Sequence, residues 1–155
     1  MNPTQHLTLS AKQIRLVRDS FESVKEYEDS VVVLFYGRLF EIAPEVRKLF
    51  KIDIREQARK LMETLGTLLD ALGRFDELRP HLSNLGRRHV VYGVQAEHYE
   101  KLRTALLWAF GQALGVEFDR ETRAAWEELL IVVSAVMQEA AAAAPIGSPV
   151  ENIHP

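Results

Sequence analysis

The chain has 155 residues, 47% of them apolar, and a formal net charge of −3, so one domain with a sizeable core fits the length. Lysine and arginine are scattered and leave no nucleic-acid footprint, and no apolar run is long enough to span a membrane. Without cysteine, disulfides, thiolate nucleophiles, iron–sulfur clusters and cysteine-held zinc are excluded.

No segment alternates with period two, and Pro44, Pro80 and Pro145 bound long proline-free stretches, the punctuation of an all-α domain. A first helix is expected from Ser10, where Ser10 and Gln13 form a capping box, with Ile14, Val17, Phe21 and Val24 as its apolar stripe. A second presents Val32, Phe35, Tyr36, Leu39 and Phe40 and stops before Pro44. A short helical turn from Pro44 leads to a corner at Phe50. The next helix carries Gln57, Leu61, Leu65, Leu68 and Leu72, with Gly73 as its stop.

The following helix begins beyond Phe75, holds His89 and ends at Gly93. Another holds Tyr99, Leu102, Leu106, Phe110 and Ala113. Asp119 caps the last, which buries Trp126, Leu129, Leu130, Val133, Val136 and Met137. Residues 1–9 are expected to be an N-terminal extension, 10–140 the domain, and 141–155 a disordered tail. The N-terminus Met1-Asn2-Pro3-Thr4-Gln5-His6 has no signal-peptide core, which points to the cytoplasm.

Function has to come from polar residues that interrupt these stripes. Leu78, Leu82 and Leu85 precede His89 by eleven, seven and four positions, so an imidazole falls on an apolar face. A core histidine bonded to a backbone carbonyl is the ordinary explanation, and a metal ligand such as one for haem iron is the other. Tyr36 and Gln57 interrupt two further faces, where a tyrosine bonded to backbone and a solvated glutamine are the ordinary explanations. His98 reads as a partly exposed residue at a helix start. His6, His81 and His154 read as surface or tail residues, with no two-histidine metal spacing.

In order along the chain, Tyr36, Pro44, Phe50, Gln57 with Leu61, and Leu85-Gly86-Arg87-Arg88-His89 resemble the globin family over roughly residues 10–140. Leu85 to Val94 is similar to the matching segment of neuroglobins and single-domain bacterial globins, and Glu97-His98-Tyr99 to flavohaemoglobins. The resemblance implies an all-α globin fold, a three-over-three helical sandwich around non-covalent haem b. It makes His89 the iron ligand through Nε2, with its other ring nitrogen bonded to a carbonyl near Leu85. Phe50 would stack on the porphyrin, Val94 would touch its edge, and Gln57, Leu61 and Tyr36 would take the distal side. Lys60 would pair with a haem propionate, or equally remain solvated.

Tyr36 O–H and the Gln57 amide are donors suited to the negative charge of bound O2, which implies high O2 affinity and weak preference for CO. Neuroglobins place an iron-binding histidine where this chain has Gln57, so five-coordinate ferrous iron is expected. Tyr36 as a phenolate ligand to ferric iron at high pH is a further, weaker implication. Flavohaemoglobins brace the proximal histidine with a tyrosine and a glutamate. Tyr99 matches the tyrosine, whereas Ala141 falls at the glutamate position and Glu139 is turned about 200° away.

Flavohaemoglobins also carry a reductase domain that this chain is too short to hold. O2 binding is therefore the leading expectation, and NO dioxygenation with a separate reductase the alternative. A sensing module is a third class. NO, CO and sulfide are further candidate ligands, nucleic acid and membrane are not expected partners, and a monomer or weak homodimer is the expected assembly.

Overall fold

Ser10 opens the first helix as its pattern requires. Its side chain accepts from the Gln13 N–H at 3.1 Å, and the Gln13 side chain accepts from the Ser10 N–H at 2.9 Å. Two orphan donors are thereby satisfied and α1 runs over Ala11–Glu26. In this computed structural model, which describes residues 9–50 and 53–143, α2 is Glu28–Ile42, α3 is Ile54–Asp70, α4 is Phe75–Val91, α5 is Ala96–Leu114 and α6 is Arg120–Ala143. Short 3-10 turns occupy Pro44–Leu49, Leu72–Arg74 and Gly115–Glu117. No strand occurs among the described residues, and no helix of theirs is long and apolar enough to cross a membrane.

The chain packs as two units. Thr8–Arg47 and Glu97–Leu130 form one of them, centred on Trp126. Phe110 meets that indole edge-on at 4.9 Å between ring centroids, and Phe21 lies at 6.3 Å. Val17, Phe35, Leu39, Leu106 and Leu129 are buried in the same unit. The Trp126 ring N–H donates to Ser20 Oγ at 2.8 Å, and Ser20 donates to the Leu16 carbonyl at 2.7 Å. A buried indole N–H needs such a partner. Asp119 starts α6 as expected, its carboxylate accepting from the Thr122 N–H at 2.8 Å.

The other unit contains the described residues of Lys48–Ala96 and α6 from Ile131. Leu65, Leu68 and Leu69 of α3, Leu78 and Leu82 of α4, and Val136 and Met137 of α6 are buried there. At Gly86 α4 runs against the α6 backbone: a Cβ would stand 2.8 Å from Met137 C and Cα, and closer still to its carbonyl oxygen. Only glycine permits that approach.

Several expected details differ. Gly73 does not stop α3, which ends at Asp70. The last turn tightens, with the Ala71 N–H reaching the Thr67 and Leu68 carbonyls at 3.2 Å, and Gly73 sits inside the 3-10 turn that feeds α4. Pro80 lies within α4, as the helix expected from beyond Phe75 to Gly93 requires, and is exposed. There it removes one backbone donor, an arrangement that the packed Leu78 and Leu82 face sustains. Leu130 and Val133 are half-buried, and Val132 is buried instead. Helix α6 continues to Ala143, so residues 141–143 are helical, while the expected tail from residue 144 on lies outside the described residues, as does the extension up to residue 8.

Candidate functional site

The local geometry at His89 is set by α4 itself. His89 Nδ1 lies 2.8 Å from the Leu85 carbonyl oxygen, one turn earlier on the same stripe. A carbonyl only accepts, so Nδ1 carries the proton and Nε2 keeps the lone pair. Burial holds the ring below the ordinary histidine pKa. The Leu85 bond opposes that shift and the Arg88 charge adds to it. The product is a neutral, oriented imidazole, the form that binds a metal ion. Half-buried His89 and the carbonyl partner at Leu85 thus fit the expected iron ligand and its supporting bond.

The chain leaves α4 through a tightly bonded turn. Gly93 takes φ +94°, its N–H donates to the Val90 carbonyl at 3.0 Å, and the Val94 N–H donates to the His89 carbonyl at 2.9 Å. This pair of bonds is a Schellman motif with glycine in the left-handed position, and it pins half-buried Val94 against the end of the His89 helix. A side chain at Gly93 would also press on Leu49, whose Cδ2 would be 3.3 Å from the added carbon.

In the same unit, Asp53 caps α3 by accepting from the Arg55 N–H at 3.0 Å, and the Asp53 carbonyl accepts from the Gln57 N–H at 3.0 Å. That start fixes the register, placing Gln57 and Leu61 on one face a turn apart, both half-buried. Lys60 is half-buried and makes no ion pair among the described residues. Phe50 follows the Pro44–Leu49 turn and is half-buried.

The remaining site candidates belong to the other unit. Tyr36 is buried in α2, with Phe35 edge-on at 4.8 Å and Phe40 at 5.9 Å between ring centroids. Burial raises its pKa far above the ordinary phenol value, so it remains a protonated donor. Tyr99 is half-buried, and burial raises its pKa too.

His98 corrects an expectation. It lies in the first turn of α5, as expected, but it is buried rather than partly exposed, with Nε2 3.6 Å from Glu45 Oε1. Lys101 reaches the Ile42 carbonyl at 3.5 Å, so two side chains from the start of α5 meet the segment around Pro44. Sequence reasoning also passed over Arg88 and Tyr92. Arg88 Nε and the Tyr92 hydroxyl are buried without hydrogen-bond partners among the described residues. Their i, i+4 spacing in Arg88-His89-Val90-Val91-Tyr92 was the available signal.

Known proteins are similar to this chain over most of its length. Residues 33–137 match the globin family model. An anaerobic nitrite reductase of Oryza sativa subsp. indica is 30% identical, with 84% of this chain and 94% of that protein covered. A neuroglobin of Chaenocephalus aceratus is 28% identical, covering 84% and 91%. Among solved structures, an engineered carbene transferase described as a putative nitric oxide dioxygenase from Rhodothermus marinus superposes with a TM-score of 0.77. It is 26% identical, and the match covers 87% of this chain and 94% of that one.

Proposed function

The chain belongs to the globin family, and on that premise we propose that it binds haem b non-covalently through His89 and holds O2 reversibly at the iron. The observation that carries the reading is the 2.8 Å bond between His89 Nδ1 and the Leu85 carbonyl, which leaves a neutral ring with its lone pair on Nε2. Haem supplies a ligand-binding iron; the chain supplies orientation, exclusion of water and hydrogen-bond donors. Phe50, Leu61 and Val94 are its apolar contacts, and Lys60 is the cation for a propionate.

Tyr36 and Gln57 are the donors to the bound ligand. Burial keeps Tyr36 protonated, and its aromatic neighbours Phe35 and Phe40 restrict the ring. An amide is a poor iron ligand, so Gln57 donates to the gas rather than competing with it. A hydrogen bond to a charged acceptor is worth about 1.5–3 kcal/mol, or roughly ten- to a hundredfold in dissociation. Stopped-flow measurement on Tyr36→Phe is the test. An O2 off-rate raised at least several-fold, with CO release much less affected, supports the assignment; an unchanged O2 off-rate refutes it.

A second reading is conversion of NO to nitrate, with a separate reductase restoring the iron. It is favoured by the likeness to the Rhodothermus marinus structure described as a putative nitric oxide dioxygenase. Sustained NO consumption with a generic reductase would select it, and a single stoichiometric burst would select O2 binding. In either case we place the protein in the cytoplasm as a monomer or weak homodimer.

A further inference from the structure

Pro44 pushes the residue before it out of helical space, and Ala43 takes φ −144° and ψ 70°. The chain turns there, closed by the Ala43 N–H on the Leu39 carbonyl at 2.8 Å and the Val46 N–H on the Ala43 carbonyl at 3.0 Å. Buried Val46 anchors the 3-10 turn Pro44–Leu49. The next residue, Arg47, is exposed, yet its guanidinium carbon lies over the Phe40 ring of α2, 5.2 Å from the centroid. Arg47 makes no ion pair among the described residues, and Glu45 of the same turn faces His98 instead.

Phe40 stands one helical turn after Tyr36, with 5.9 Å between the ring centroids and 36° between the planes. The other ring neighbour of Tyr36 is Phe35, at 4.8 Å and buried in the core. Phe40 is only half-buried, so packing alone holds it less firmly. A cation over its ring adds a restraint, because the negative face of an aromatic ring attracts positive charge within about 6 Å. Arg47, Phe40 and Tyr36 thus make a continuous line of contacts from the surface to the donor assigned to bound O2. We propose that Arg47 is a positioning residue: through Phe40 it restricts the Tyr36 ring and slows O2 release, an inference that rests on Tyr36 as the distal donor.

Stopped-flow ligand release from the haem-loaded chain tests the coupling. Arg47→Met keeps a long apolar side chain and removes the charge. It is expected to raise the O2 off-rate roughly two- to threefold, less than the full worth of an exposed cation–π contact because the restraint acts through Phe40. CO release is expected to stay unchanged. In a Tyr36→Phe background the same substitution is expected to add nothing. Arg38→Met removes the like contact over Trp108, at 5.1 Å, and is expected to leave the O2 off-rate at the wild-type value. NMR of the ferrous CO form supplies a readout apart from ligand release: the Tyr36 ring is expected to reorient faster in Arg47→Met than in wild type.

An O2 off-rate unchanged in Arg47→Met but raised in Tyr36→Phe would overturn the coupling. So would an equal rise in the Tyr36→Phe background, or equal acceleration of O2 and CO release, since either marks a general loosening of the turn. An equal rise in Arg38→Met, or Tyr36 ring motion at the wild-type rate in Arg47→Met, would count against it in the same way. Release of O2 from Tyr36→Phe at the wild-type rate would instead overturn the assignment of Tyr36 itself.

Discussion

Replacing Gly86 with alanine puts a methyl group where α4 and α6 meet backbone to backbone. The added carbon would stand 2.8 Å from Met137 C and Cα. A comfortable carbon–carbon separation is about 3.5 Å, so the helices must part by at least roughly 0.7 Å. No rotamer change relieves a clash with backbone, and overpacking of this kind costs about 1–3 kcal/mol. Alanine recovers about 1 kcal/mol of helix propensity, which leaves a net loss of roughly 1–2 kcal/mol if the clash sits at the upper end of its range. For a chain of this size that lowers the melting temperature by about 2–8 °C.

Gly37→Ala is the matched control, because Gly37 is exposed in α2 and its added carbon would meet nothing within 4 Å. There the substitution should stabilise by about 0.5–1 kcal/mol. Thermal unfolding followed by circular dichroism reads both. Opposite signs support the close crossing; a Gly86→Ala chain stabilised as much as Gly37→Ala would refute it.

Ser20→Ala should cost about 1–3 kcal/mol, because it strands the buried Trp126 N–H. A lower urea midpoint at unchanged slope would register the loss, and an unmoved midpoint would mean that the indole finds another acceptor. Asp119 gives a pH signature. Bonds from the Thr122 backbone and side chain, the largest causes, hold its pKa below the ordinary carboxylate value. Its contribution is therefore present above the unfolded pKa and lost as pH falls through the lowered folded value. Asp119→Ala should melt lower than wild type near neutrality and converge with it in acid; a constant gap across the pH series would count against the cap.

What the sequence made legible was local. The Ser10–Gln13 box, the Asp119 cap and the end of α4 near Gly93 are each decided by residues within a few positions, and each stands where the pattern placed it. The supporting bond of His89 comes from one turn away and was equally readable. Gly73 misled because a glycine can end a helix or sit in a tightened turn, and the choice is made by where the chain goes next.

Long-range partners were hidden. His98 Nε2 lies near Glu45, and the indole N–H of Trp126 donates to Ser20, each partner far away in sequence. The requirement for glycine at position 86 comes from Met137, which only the packed helices bring close. Arg88 and Tyr92 were overlooked for a different reason. A basic residue and a tyrosine near a helix end are ordinarily solvated, and their i, i+4 spacing does not tell that Arg88 Nε and the Tyr92 hydroxyl are buried without partners among the described residues.

The central claim is an iron held by His89 and left open by Gln57. Its most direct test is the visible spectrum of haem-reconstituted protein reduced with dithionite under argon. One broad band between the Soret and the red is the predicted result, the mark of five-coordinate ferrous iron. Two sharp, split bands would show an internal sixth ligand and contradict the account.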